Sequence, residues 1–243
     1  MKKFAILTLV FTMLLSATAL AATSIIKKCQ SIRKEMPQFK VDRILPGPVS
    51  GMCEIWANNN VIYYFPDKKL LFFGEIWDTK GHSLTQDSRN RILAAKIKSL
   101  DLRKAIRWGK GPVRVIFITD PDCPYCGRTE KFLLSPLFKD KITAYVFLYP
   151  LTGIHPHARK HSLIVLSSRK PVETLLAFAQ KKNLPAISIS KAAERRLSEM
   201  KKEMQKLSVT AVPVVIVGKK VIRGANLEQI LSAINQSLTQ AKK

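Results

Sequence analysis

The sequence predicts an α+β protein in two parts. A small mainly-β region is joined through a linker helix to an α/β domain that carries a helical insertion. Three observations predict this. Short β-type runs separated by turn residues fill the first part, one helical periodicity spans 87–108, and strands alternate with helices from 111 onward. The 243 residues suffice for one large domain or two small ones, and 47% hydrophobic with 24% charged residues is an ordinary globular balance. Disordered and multi-span membrane classes are excluded on that ground.

Residues 1–21 read as a signal peptide. Lys2 and Lys3 precede an apolar run from Phe4 to Leu15, and Ala19-Leu20-Ala21 supplies a small-residue cleavage site after Ala21. An uncleaved anchor is the alternative, but the run is short against the roughly 20 residues a span needs. The mature protein is therefore predicted to be soluble and exported. Lys and Arg total 41 against 17 acidic residues, a formal +24, or +22 once Lys2 and Lys3 are removed. Such a field favours anionic partners. The basic residues are nevertheless scattered and no nucleic-acid motif focuses them, so no specific nucleic acid is expected.

Region 22–80 begins with a short helix from Ser24 to Met36, stopped by Pro37. Strands are expected at Val41–Leu45, Met52–Trp56, Val61–Phe65 and Leu70–Trp77, with turns at Pro46-Gly47-Pro48, Asn58-Asn59-Asn60 and Pro66-Asp67. So small a sheet buries little core, and its exposed edge invites a second copy. Region 81–110 reads as a linker containing a helix over 87–108, capped by Asp87 or Ser88, with Ile92, Leu93, Ile97, Leu100 and Ile106 at helical spacing. Trp56, Trp77 and Trp108 read as packing residues.

Region 111–243 changes pattern. Val113–Thr119 and Ile142–Leu148 are continuous apolar runs typical of buried strands, with a helix from Pro124 to about Leu134 between them. Residues 156–206 read as the helical insertion, its last segment capped by Ser190. A hairpin follows around Gly218, from Val214–Val217 to Lys220–Ile222, and Asn226 caps a final helix.

The chemical signal is Thr119-Asp120-Pro121-Asp122-Cys123-Pro124-Tyr125-Cys126. A C-x-x-C that follows a buried strand and opens a helix puts Cys123 at the helix N-terminus, where free N–H groups stabilise a thiolate. Pro124 costs no hydrogen bond there. Cys123 is the expected exposed nucleophile and Cys126 the shielded resolving thiol. A zinc half-site and an inert disulfide are the alternatives. The first lacks a second C-x-x-C, and the second closes too small a loop to constrain the chain much. His155-Pro156-His157 with His161 reads either as metal ligands or as a solvated loop entering a helix. Glu130 and Lys131 read as an exposed helix face. No metal and no organic cofactor are expected. Cys29 and Cys53 are bridged or free; spacing does not decide it.

Val212-Pro213 before the strand Val214–Val217 adds weight, since a proline entering a buried strand removes a ladder donor. Taken with the dithiol and the α/β order, it resembles the thioredoxin-like proteins, in which that proline is cis beside the reactive cysteine. Over nearly the whole mature length the chain resembles the DsbC/DsbG family of periplasmic disulfide isomerases. Pro46-Gly47-Pro48-Val49-Ser50-Gly51-Met52, Val61-Ile62-Tyr63-Tyr64 and Gly74-Glu75-Ile76-Trp77-Asp78 are similar to that family's N-terminal dimerisation domain. The Cys123-Pro124-Tyr125-Cys126 form is closer to the DsbG branch.

The resemblance implies a homodimer that acts on misfolded or oxidised exported proteins and is kept reduced by a membrane thiol reductase of the DsbD type. It also implies that Tyr125, Val212 and Pro213 contact substrate. Two departures stand out. Family members usually carry Thr before that proline, whereas this chain has Val212, as oxidant-type DsbA proteins do, and the insertion lacks the extra cysteine pair of DsbC-type catalytic domains. Isomerase, reductase and oxidase stay open, as does a dimeric chaperone or a partner dedicated to a secretion or conjugation apparatus.

Overall fold

The alternating apolar residues of the first region fold into a four-stranded antiparallel meander, β1 (Val41–Pro46), β2 (Cys53–Ala57), β3 (Asn60–Phe65) and β4 (Leu70–Phe72), in that spatial order. The computed structural model describes residues 24–57, 60–182, 184, 186–207 and 209–241. The expected signal peptide, Asn58, Asn59 and Ser208 lie outside them.

The chain divides into two compact units between Ile92 and Leu93. In the first, residues 24–29 are helical and a short helix α1 (Ile32–Glu35) follows. Cys29 and Ile32 pack with Ile44, Ile55, Ile62 and Tyr64 on one face of the meander. Met52, Trp56, Val61 and Tyr63 cover the other face with Ile92. Cys29 and Cys53 are bridged, Cα to Cα 6.5 Å, which ties the helical segment to β2.

Two sequence expectations fail here. The fourth strand ends at Phe72 rather than Trp77, because the next backbone donors go elsewhere: Ile76 N–H donates to Thr85 Oγ1 at 2.9 Å. Trp77 is exposed rather than packed.

The predicted helix over 87–108 is two elements. Helix α2 (Leu84–Ile97) starts earlier, because the Ser83 hydroxyl accepts from Gln86 N–H at 3.1 Å and caps it. Beyond it a 3-10 turn (Leu102–Lys104), capped by Asp101, leads into strand β5 (Ile106–Trp108). The apolar spacing ran through that break by coincidence, and pairing with a sheet edge decided the conformation of Ile106.

The second unit is built on a five-stranded sheet in the order β5-β7-β6-β8-β9. Strands β6 (Val113–Thr119) and β7 (Ile142–Leu148) are parallel, and every other pair is antiparallel. Helix α3 (Pro124–Leu133) follows β6 directly. The insertion holds α4 (Ala158–Ser167), α5 (Pro171–Ala179) and α6 (Lys191–Leu207), the last capped by Ser190 Oγ on Ala193 N–H at 3.1 Å. The α6 residues Ala193, Leu197, Met200, Met204 and Leu207 recur at helical spacing and are buried. A hairpin of β8 (Val214–Val217) and β9 (Lys220–Arg223) precedes α7 (Leu227–Ala241), which Asn226 caps. Gly127 lets α3 approach α5 closely: a Cβ there would sit 3.2 Å from Ala179 Cβ.

Candidate active site

Strand β6 delivers the chain into Asp120-Pro121-Asp122, and the fully buried Asp120 folds that loop. Its Oδ1 accepts Asp122 N–H at 2.9 Å, its Oδ2 accepts Leu151 N–H at 2.8 Å, and its backbone carbonyl accepts Cys123 N–H at 3.1 Å. Cys123 is the N-cap of α3 in an extended conformation, with Pro124 at the first helical position.

Both cysteines are free thiols, and the loop draws them inward. Cys123 keeps only 7% of its surface in contact with solvent and Cys126 none. The expected exposed nucleophile is thus a nearly covered one, because the bond from its own N–H to Asp120 tucks the residue against the protein. Tyr125 stands largely exposed beside it.

Electrostatics separates the two sulfurs. The Cys126 thiol donates to Cys123, and the backbone N–H groups of Cys126 and Tyr125 and the His155 charge add to it. Together they outweigh burial and bring Cys123 down to about 6. Cys126 moves strongly upward, first through burial and then through its bond to Cys123. One sulfur is a thiolate near neutrality while its neighbour keeps its proton.

Glu130 departs from the sequence reading. It lies one turn beyond Cys126 on the inner face of α3, fully buried, whereas Lys131 is exposed as expected. Its Oε1 accepts the Thr119 hydroxyl at 2.6 Å, and its Oε2 has no hydrogen-bond partner among the described residues. Burial pushes its carboxyl up to about 8. The signal that could have found it was the i, i+4 spacing from Cys126, a position already committed to the interior.

The histidine motif leads from a loop into α4, as one of its sequence readings has it, but two of its rings are paired rather than solvated. His155 Nδ1 lies 2.9 Å from Asp120 Oδ2, and His161 Nδ1 lies 2.5 Å from Asp122 Oδ1 while stacking on Phe178. His157 alone is exposed, at the entry to α4. Among the described residues, no three or more His, Cys, Asp or Glu side chains are grouped to hold a metal ion.

The Val212–Pro213 peptide bond is cis. Because Val214 pairs with Ile118, Pro213 sits at the end of β6 from which the dithiol loop departs; Pro213 is buried and Val212 half-buried. The fold thus brings Pro213 to the strand end that carries Cys123 and Cys126. On the Thr210 side, an open groove of about 600 Å³ is lined by Leu151, Ile154, Arg159, Leu197 and Lys201.

Residues 99–237 match the thioredoxin-like domain family, and residues 17–86 match the disulfide bond isomerase protein N-terminal domain. The chain is 25% identical over 178 residues to the probable thiol:disulfide interchange protein DsbC of Bordetella avium, covering 72% of this chain and 61% of that protein. It is 24% identical over 180 residues to DsbC of Haemophilus influenzae, covering 72% and 76%. The match to the Bordetella relative therefore spans less than two thirds of that protein's length.

Among solved structures, a linker-deleted variant of Proteus mirabilis ScsC aligns with TM-score 0.54 at 19% identity, over 64% of this chain and 86% of that one. The thiol-disulfide exchange protein alpha-DsbA2 of Wolbachia pipientis aligns with TM-score 0.51 at 16% identity, over 61% and 97%. These likenesses establish the fold of the dithiol unit. With both family matches falling on the two units described, the chain belongs to the thioredoxin-like family as a DsbC-type member.

Proposed function

We propose that this protein is an exported thiol:disulfide interchange protein that isomerises or reduces wrong disulfides in misfolded or oxidised periplasmic proteins. The observation that carries the reading is the placement of the two sulfurs, Cys123 at the N-cap of α3 and Cys126 fully buried within its first turn, which favours a thiolate at the first and a held proton at the second.

The Cys123 thiolate attacks one sulfur of a client disulfide. A Cys123–client S–S bond forms, the client S–S bond breaks, and the other client sulfur leaves as a thiolate. That thiolate can attack a second client disulfide and free a different client thiolate, which attacks the client sulfur of the mixed disulfide. A new client S–S bond forms, the Cys123–client S–S bond breaks and Cys123 leaves as a thiolate, which is isomerisation. Otherwise Cys126 loses its proton and attacks the Cys123 sulfur. The client leaves reduced and the Cys123–Cys126 pair is oxidised. A membrane thiol reductase of the DsbD type then returns two electrons.

Tyr125, Val212 and Pro213 are the proposed client contacts, with the backbone before Pro213 receiving an extended client segment. Region 22–80 serves as the dimerisation domain, 81–110 as a linker whose β5 end is built into the catalytic sheet, and 111–243 as the catalytic domain. No cofactor, metal or specific nucleic acid is required.

An oxidase role is the second reading, favoured by Val212 in place of Thr. The redox state of Cys123 and Cys126 trapped in living cells separates the two. A mostly reduced pair is expected, and a mostly oxidised pair overturns the isomerase–reductase assignment. A Cys123→Ala protein that has lost exchange activity but still suppresses aggregation would move the weight to a chaperone.

A further inference from the structure

The motif left unused by the exchange chemistry is His155-Pro156-His157 with His161, and its geometry gives it a role. Asp120 is fully enclosed, three residues before the reactive sulfur, and gathers Asp122 N–H, Leu151 N–H and the His155 imidazole on its two oxygens. A carboxylate enclosed so close to a sulfur that must itself become an anion works against that anion. An imidazolium seated on the same carboxylate cancels the opposing charge and adds attraction of its own.

We propose, resting on the exchange reading above, that His155 is a positioning residue for the reaction: as an imidazolium anchored on Asp120, it locks loop 149–155 against the dithiol loop and holds Cys123 in its thiolate form.

The surrounding charges support this. Asp120, Asp122 and Cys123 all face His155 and favour its charged form, with the Asp120 hydrogen bond the largest influence, so that its titration moves up from the ordinary histidine value. Cys123 in turn feels His155 after the Cys126 thiol and the nearby N–H groups. Glu130, the remaining acid in this environment, interacts with both Cys123 and Asp120. Asp122 has its own partner in His161, which leaves His155 to serve Asp120. Among the described residues His157 has no carboxylate contact of this kind, and it supplies an internal control.

Thiolate absorbance of the full protein is titrated against pH for wild type, His155→Asn, His155→Gln and His157→Asn. Both substitutions at His155 keep a polar side chain and remove the charge. Their Cys123 midpoint is expected to rise by about one pH unit, with alkylation at low pH slowed about tenfold and unchanged at high pH. His157→Asn is expected to match wild type. An unchanged midpoint in both His155 variants overturns the proposal.

Coupling is reciprocal, so the unsubstituted protein supplies a second measurement. The His155 ring titration followed by NMR is expected to lie higher in the reduced protein, where the thiolate is present, than in the oxidised one. Equal titrations overturn the proposal even where a variant fails to fold. Failure of the exchange reading looks different: in wild type, Cys126 would then react as fast as Cys123 or faster.

Discussion

At Cys123 and Cys126 one helical turn separates two sulfurs whose protons are held very differently. The largest influence on Cys123 is the thiol of its partner. Replacing that donor by Cys126→Ala is therefore expected to raise the Cys123 thiolate midpoint above about 6, read by absorbance titration; a midpoint that stays put would sink the assignment. Glu130 makes a separate prediction. Its carboxyl is raised mainly by burial, so the native state holds that proton up to about pH 8, whereas the unfolded chain releases it near 4.5. The native state binds more protons between those values, so this group's contribution to stability is complete below 4.5 and is lost as pH rises towards 8. Glu130→Gln, measured in the oxidised form so that the thiols do not titrate, is expected to unfold at a higher temperature than wild type near pH 8.5. At pH 5 the two should differ little. Val212→Thr is expected to move the reduction potential of the pair, by about 30 mV for each 1.4 kcal/mol of changed contact, without lowering thermal stability. Redox titration against glutathione decides it. The nucleophile and its partner were legible because C-x-x-C at a strand–helix junction is a local pattern. The spacing from Cys126 offered the burial of Glu130, but its bond to Thr119 and the pairing of His155 with Asp120 were not legible, because only folding brings those groups together.

Among the elements, most of those closed by local chemistry were read correctly, the Ser83 cap of α2 excepted. Ser190 and Asn226 cap their helices, Gly218 turns the hairpin at positive φ, and β6 and β7 span the predicted residues. Two elements were misread, the fourth strand, which stops at Phe72, and the helix expected over 87–108, whose end is decided at long range. Nothing local distinguishes Ile106 in a helix from Ile106 in a strand until β7 offers an edge, where it pairs with Val146. The structure then holds that strand in place from a third element. Arg196 of α6 donates from Nε to the Lys104 carbonyl at 2.9 Å and from Nη2 to the Ala105 carbonyl at 2.6 Å, across about ninety residues of chain. Both carbonyls lie at the entry to β5. Arg196→Ala leaves them without these donors and is expected to cost about 1–3 kcal/mol in denaturant unfolding. Arg196→Lys should recover only part of the loss, since one ammonium cannot reproduce the forked geometry. A loss no larger than that of an exposed arginine would show that β5 is held by its ladder alone.

For the molecule as a whole, the two units pose different questions of self-association. The first leaves Leu70, Phe72 and Phe73 exposed on or beside β4, an outer strand of its sheet. An apolar sheet edge is a template for pairing with another copy. Opposing it, each chain carries a formal +24, or +22 without Lys2 and Lys3, so two copies approach against a repulsive field. If the apolar edge drives the proposed dimer, screening that field should strengthen association. Sedimentation at micromolar concentration is expected to give a dimer whose dissociation constant falls as salt rises from low to physiological strength. Leu70→Lys, which adds a charge to the edge at an exposed position, should give a monomer with unchanged Cys123 reactivity. The cut between units also fixes which fragment tests the assignment. One beginning at Gly111 loses β5 and, with Leu93, Leu100 and Ile106, part of the main core, and should unfold at a lower temperature than the intact second unit. One beginning at Leu93 keeps all of these and should be a monomer that still performs dithiol exchange. A dimeric Leu93 fragment, or a full chain whose association weakens with salt, would place the interface on the catalytic unit or on paired charges and remove the edge strand from the account.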